Sequence, residues 1–247
     1  MKPCYFLFTL LIFCTACKKD LIRKDGNFRL RFEHTVGTVP LALGATVYQN
    51  PSAEAYTVSA FKYYISNIYL VKMDNSILRL PASYHLVDES KPDSKTFLVP
   101  APQGEYRAIG FKLGVDSIRN VSGAQTDALD PALGMFWSWN SGYIMAKMEG
   151  ASPLSTAPNN ILNFHIGGFK GQYNAVQDFR LQTPISINVA PDRAPEVTFS
   201  ADLNAWFRQP NPVSFATSAT IHTPGEAAFK ISENYKNMFR ITNVTDL

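Results

Sequence analysis

Strict period-two alternation of apolar and polar residues, recurring in separate stretches, restricts the fold of this chain more than any other feature. In Asn27–His34, Phe28, Leu30, Phe32 and His34 share one face, and Arg29, Arg31 and Glu33 share the other. Ile109, Phe111, Leu113 and Val115 line one side of a second stretch. In a third, Leu162, Phe164 and Ile166 lie opposite Ile161, Asn163 and His165. Successive side chains of an extended strand point to opposite faces, so each stretch reads as a strand with one face on a core. Further short β-rich runs lie between Tyr56 and Met73, where Ser66-Asn67 predicts a bend between two strands. Others are Tyr84–Asp88, Thr96–Val99, Asp178–Leu181, Ile185–Val189 and Glu196–Asp202, separated by Gly, Pro, Asn and Asp turns.

The period changes only near the end. Ala228, Ile231, Tyr235, Met238 and Phe239 recur at helical spacing, and Thr223-Pro224 just before them predicts a cap with proline in the first turn. The fold class is therefore mainly β: an antiparallel β-sandwich with a short C-terminal helix. No internal repeat or domain boundary interrupts residues 27–247, which read as one domain.

The N-terminus reads differently. Lys2, an apolar run from Tyr5 to Phe13 and Cys14-Thr15-Ala16-Cys17 resemble a secretory signal ending in a bacterial lipobox. That pattern predicts cleavage after residue 16 and a lipid on Cys17, with Cys14 departing from the leucine usual at its position. Residues 17–26 then form a polar tether, which holds the domain to a membrane without inserting it. The expected address is the bacterial cell envelope, lipid-anchored at the outer membrane or cell surface. Of three cysteines, Cys4 and Cys14 leave with the signal and Cys17 is acylated, so no thiol remains for a disulfide or a thiolate metal site. The formal charge of +3 falls to +2 with the loss of Lys2, and no basic cluster stands out, which argues against nucleic acid.

No nucleophile elbow, phosphate-binding glycine loop or zinc-protease helix is present, and no acid–base pair can be named. The expectation is a binding protein, not an enzyme. Four histidines occur: His34 closes a strand, His165 precedes Gly167-Gly168, His222 precedes Thr223-Pro224, and His85 lies inside a short strand. Neutral imidazole suits copper or zinc where thiolate is missing, although a single histidine is as well explained by hydrogen bonding in a core or at a surface. Trp137 and Trp139, two residues apart in Leu133–Ile144, are costly to leave in water. They serve as a core plug, as a stacking platform for a glycan or peptide, or as oxidisable indoles near a metal. Trp206 reads as packing.

Gly134-Met135-Phe136-Trp137-Ser138-Trp139-Asn140-Ser141-Gly142-Tyr143-Ile144, followed by a lysine-bearing strand ending in Glu149-Gly150, resembles the signature of the MbnP-like family. Phe164-His165-Ile166-Gly167-Gly168, Leu113-Gly114-Val115-Asp116 and Ile221-His222 with Asn234 and Met238-Phe239 resemble it in the same order. The resemblance implies a secreted copper-binding protein. In some members a partner di-haem, MauG-like peroxidase converts a tryptophan to kynurenine. Carried onto this chain, it implies His34 and His165 as copper ligands with His222 as a third, and Trp137 or Trp139 as the modified residue. The rival expectation is a surface lipoprotein that binds a glycan or peptide on the two indoles, without metal.

Overall fold

The computed structural model describes residues 25–123, 125–138 and 140–245. Cys17, the expected signal and Trp139 lie outside the described residues. In chain order the strands are β1 (Asp25–Val36), β2 (Val39–Pro40), β3 (Tyr48–Gln49), β4 (Ala55–Lys72), β5 (Ile77–Arg79), β6 (Tyr84–Asp88), β7 (Thr96–Pro102) and β8 (Gly104–Leu113). A short helix α1 (Ser117–Asn120) follows, then β9 (Phe136–Ser138), β10 (Gly142–Ala151), β11 (Ile161–Gly167), β12 (Gln177–Val189), β13 (Glu196–Asp202), β14 (Thr220–Ile221), helix α2 (Glu226–Asn234) and β15 (Phe239–Thr245).

Two sheets face each other. The smaller runs β15-β13-β1-β2, with β7 also on β1; the larger runs β12-β8-β4-β10-β11-β14, with β3, β5 and β6 on β4 and β9 on β10. Most ladders are antiparallel, but β1 lies parallel to β13 and β14 parallel to β11, so the sheets are mixed. Local periodicity cannot report pairing direction between strands so far apart in sequence, which is why this was not foreseen.

The predicted core face of β1 is buried throughout, as are those of β8 and β11. Phe32 sits at the centre, stacked on Phe199 at 5.0 Å between ring centroids and edge-on to Tyr63, Phe111 and Phe239. Such pairs add about 0.5–1.5 kcal/mol each beyond the area they bury. Trp206 is fully buried and its indole N–H donates to the Met238 sulfur at 3.1 Å, so it packs as expected.

Three local expectations need correction. Tyr56–Met73 is not two strands: β4 runs through, with the bend absorbed where Asn67 takes φ 51° and the ladder to β8 shifts register. Asp178–Leu181 and Ile185–Val189 are likewise one strand, β12, with an irregularity between Gln182 and Ile187. Helix α2 starts later than predicted, at Glu226, and its cap is Gly225 with no side-chain hydrogen bond, so Pro224 precedes the helix instead of opening it. Its end is corrected too: α2 stops at Asn234, and Phe239, expected on the helix, opens β15, which closes the small sheet.

The outer face of the large sheet is partly covered. Tyr64 of β4 packs edge-on against Tyr143 of β10, whose hydroxyl donates to the Leu129 carbonyl at 2.6 Å. The long connection between β8 and β10 is thereby laid over the sheet, and it carries β9 to its place beside β10.

Candidate functional site

Alternation along β11 turns Leu162, Phe164 and Ile166 into the core and leaves Asn163, His165 and Gly167 on the outer face. In register with His165 stands Lys147 of β10, and in register with Lys147 stands Lys62 of β4, which pairs with Asp88 of β6. A polar row therefore crosses the outer face, and its last member comes just after β14. Thr220 and Ile221 lie opposite Asn163 and Phe164 in a parallel ladder, which carries the next residue, His222, to the side of His165. The two rings meet at 5.0 Å between centroids and 88° between planes.

His165 is held from the other side by Glu149, two residues along β10 from Lys147. Its Nε2–H donates to Glu149 Oε1 at 2.8 Å, and Lys147 Nζ reaches the same oxygen at 3.0 Å while donating to the Gly134 carbonyl at 3.3 Å. With Glu149 accepting, Nε2 carries the proton and the lone pair is left on Nδ1; this tautomer follows from the hydrogen-bond network. Burial lowers the His165 pKa from 6.5, Lys147 lowers it further, and Glu149 opposes both. The ring is accordingly neutral at pH 7. Burial raises the Glu149 pKa, but hydrogen bonds from Lys147 and His165 outweigh it and leave the carboxyl below its usual value.

Trp137 of β9 borders the same place. Its six-membered ring lies over Gly167, where an added Cβ would come 2.4 Å from Cζ3. A glycine is needed here because any side chain would displace the indole, which is half-buried against the core. Trp137 therefore lies over Gly167, two residues along β11 from His165 and on the same face, while Trp139 lies outside the described residues.

His34 is elsewhere. It closes the core face of β1, where Nδ1 donates to Glu89 Oε2 at 2.6 Å and Nε2 accepts from the Tyr63 hydroxyl at 2.8 Å. Lys95 completes the cluster through Glu89 at 2.9 Å, beside a cleft of 560 Å³. Phe61 and Tyr63, which His34 touches, point inward from β4, whereas Lys62 between them points outward with Lys147 and His165. The large sheet therefore stands between His34 and His165. The two imidazoles expected to converge are on opposite faces, because alternation gave each a face but not the sheet that divides them. Both ring nitrogens of His34 are occupied by hydrogen bonds. His85 stacks flat on Phe97 at 3.8 Å, with burial lowering its pKa to about 4.

Glu149 and Lys147 received no role from sequence reasoning. The signal available was their spacing on one face of a strand, which becomes informative only once β11 is known to pair with it. Among the described residues, no group of three or more His, Cys, Asp or Glu side chains is arranged to hold a metal ion.

The order Trp137, Glu149, His165, His222 along β9 to β14 lies inside the segment, residues 25–224, that matches the MbnP family profile. The chain belongs to the MbnP family. A solved structure of MbnP from Methylosinus trichosporium shares its fold, with a TM-score of 0.53 over 83% of each chain at 16% sequence identity. Curated proteins yield no match. The MbnP profile ends just after His222, so α2 and β15 lie beyond the matched segment.

Proposed function

We propose that this member of the MbnP family is an extracytoplasmic, lipid-anchored copper-binding protein in which His165 and His222 supply two imidazole ligands. The observation that carries the reading is the pairing of these rings across the β11–β14 ladder. Two imidazoles that share one ion through nitrogens at about 2 Å have ring centroids roughly 4.5–6 Å apart, and the observed 5.0 Å falls within that span. The donor set also fits chemically, because neutral imidazole suits copper in either common oxidation state and no cysteine competes in the mature chain.

Each neighbour has a part in holding the pair. Glu149 accepts the His165 Nε2 proton, which fixes the ring and leaves Nδ1 as the donor atom. Lys147 keeps Glu149 ionised and anchors it to the Gly134 carbonyl. Copper, when bound, supplies a redox-active cation; the chain's own residues orient the half-buried His165, while His222 stands exposed at the open side of the pair. Two imidazoles leave room for a further donor, and kynurenine made from Trp137 or Trp139 by a partner di-haem peroxidase is the one we favour. Trp137 is half-buried at the rim, not sealed inside, so an oxidising partner has an edge to approach. Binding, not turnover, is the proposed role.

Copper titration tests this. His165→Ala and His222→Ala each weaken binding at least tenfold, whereas His34→Ala leaves affinity unchanged. Unchanged binding in the first two variants, or ligand capture that survives chelators and both substitutions, overturns the copper reading in favour of the glycan- or peptide-binding one.

A further inference from the structure

Beyond the His165 row, at the Lys72 end of β4, the sandwich has an end built from loops that present apolar side chains to solvent. Asp25, the first described residue, pairs with Pro102 there, and Gly26 lies against the chain at Val189 and Ala190, where an added Cβ would come 2.5 Å from the Ala190 carbonyl oxygen. Lys72, the last residue of β4, stands opposite Tyr106 at this end, and Gly104 is opposite Val189. Two loops meet beside them: the turn after Lys72 and the irregular stretch 183–186 of β12. Ser186 Oγ lies 4.0 Å from the Met73 sulfur, the Thr183 hydroxyl donates to the Arg107 carbonyl at 2.9 Å, and Arg107 Nη1 donates to Asn75 Oδ1 at 3.1 Å. Met73 is 52% exposed, Ile185 57% and Ile77 48%.

We infer that this end is a lipid-docking surface, on which Met73, Ile77 and Ile185 enter the interface of the membrane that holds the chain. The inference rests on the lipid-anchor reading of Cys17. Seven residues, 18–24, separate Cys17 from Asp25, and the eight steps between them span at most about 27 Å even fully extended. The Asp25 end is therefore kept within that distance of the bilayer, and the half-exposed apolar side chains are at that same end. The tether adds charge complementarity, since Lys18, Lys19, Arg23 and Lys24 outnumber Asp20 and draw the segment to anionic headgroups. Lys72 and Arg107 are balanced at this end by the exposed Asp74 and Glu105, so the half-exposed apolar side chains make the contact with the headgroup boundary and the basic tether supplies the attraction. Lys62 lies ten positions before Lys72 in β4, at most about 33 Å along a strand that bends at Asn67, so docking here engages a part of the sheet away from the His165 row.

Hydrogen exchange of the full processed chain on phosphatidylcholine–phosphatidylglycerol vesicles tests the surface, with the same chain carrying Cys17→Ser in vesicle-free buffer as reference. Amides of residues 73–77 and 183–187 slow at least threefold on vesicles, and a Met73→Glu/Ile185→Glu variant loses that protection while staying vesicle-bound. Intact mass of the processed N-terminus separates the two layers of the argument. Acylated Cys17 with no slowing, or slowing that scales with protein concentration as between two copies of the chain, overturns the docking surface alone. A chain without acyl mass at Cys17 overturns the anchor and the docking surface together.

Discussion

At the residue scale, His34 shows how a histidine can look like a ligand and serve as a beam. Its ring, carried by β1 of the small sheet at 5% exposure, ties that sheet to Tyr63 of β4 and to Glu89 just after β6, both on the large-sheet side. Removing it strands the Tyr63 hydroxyl in a fully buried place and leaves a cavity, so His34→Ala lowers stability by about 2–4 kcal/mol in urea unfolding. A loss below 0.5 kcal/mol would mean the bridge is idle. His85 supplies a second test, because its folded pKa is lowered by burial to about 4 from 6.5. Between those values the unfolded chain binds a proton that the folded chain does not, so stability present above pH 6.5 is lost as pH falls. His34, lowered by burial against the pull of Glu89, acts in the same sense. The urea midpoint therefore drops from pH 6.5 to 5, and His85→Phe flattens that decline; an unaltered slope in the variant refutes the assignment. What the sequence could show at this scale was residue chemistry and face. Phe28, Leu30, Phe32 and His34 were legible as one buried side, but whether His34 met a metal or a tyrosine depended on β4, which lies outside its own neighbourhood.

Among the elements, the two-residue strand β14 has an influence out of proportion to its length. Asn163 N–H donates to the Ala219 carbonyl at 2.9 Å, Ile221 tucks against the core at 7% exposure, and His222 is placed only as a consequence. Ile221→Asp puts a carboxylate into that apolar seat, costs about 2–4 kcal/mol and detaches the ladder. Its copper affinity should equal that of His222→Ala, since either change removes the same imidazole. Tighter binding by Ile221→Asp in a competition titration would show that His222 reaches His165 without the strand. Elements of this kind are the hardest to read in advance: Thr220-Ile221 has no periodicity to detect, and its parallel partner lies far back in the chain. Long alternating strands such as β1 and β11 were legible because burial of one face is written locally. The joining of 56–73 into β4 was not, because a single left-handed Asn67 lets a strand continue where turn chemistry signals a stop.

For the molecule as a whole, the proposed copper binding ties the ion to folding. If the imidazole pair forms only in the folded sandwich, free copper at a hundredfold excess over its Kd adds about 2.7 kcal/mol to stability. Calorimetry should show a copper-dependent rise in Tm that vanishes in a His165→Ala/His222→Ala variant, and a rise that persists there would place the ion elsewhere. The parallel ladder between β1 and β13 carries a different consequence. Phe32 pairs with Phe199, so the first strand of the sandwich must wait for one 167 residues later before its seam is complete. A chain made N-terminus first cannot close this seam midway. Its first strand stays unlatched until β13 has been made, and roughly the last fifth of the polypeptide acts as the latch.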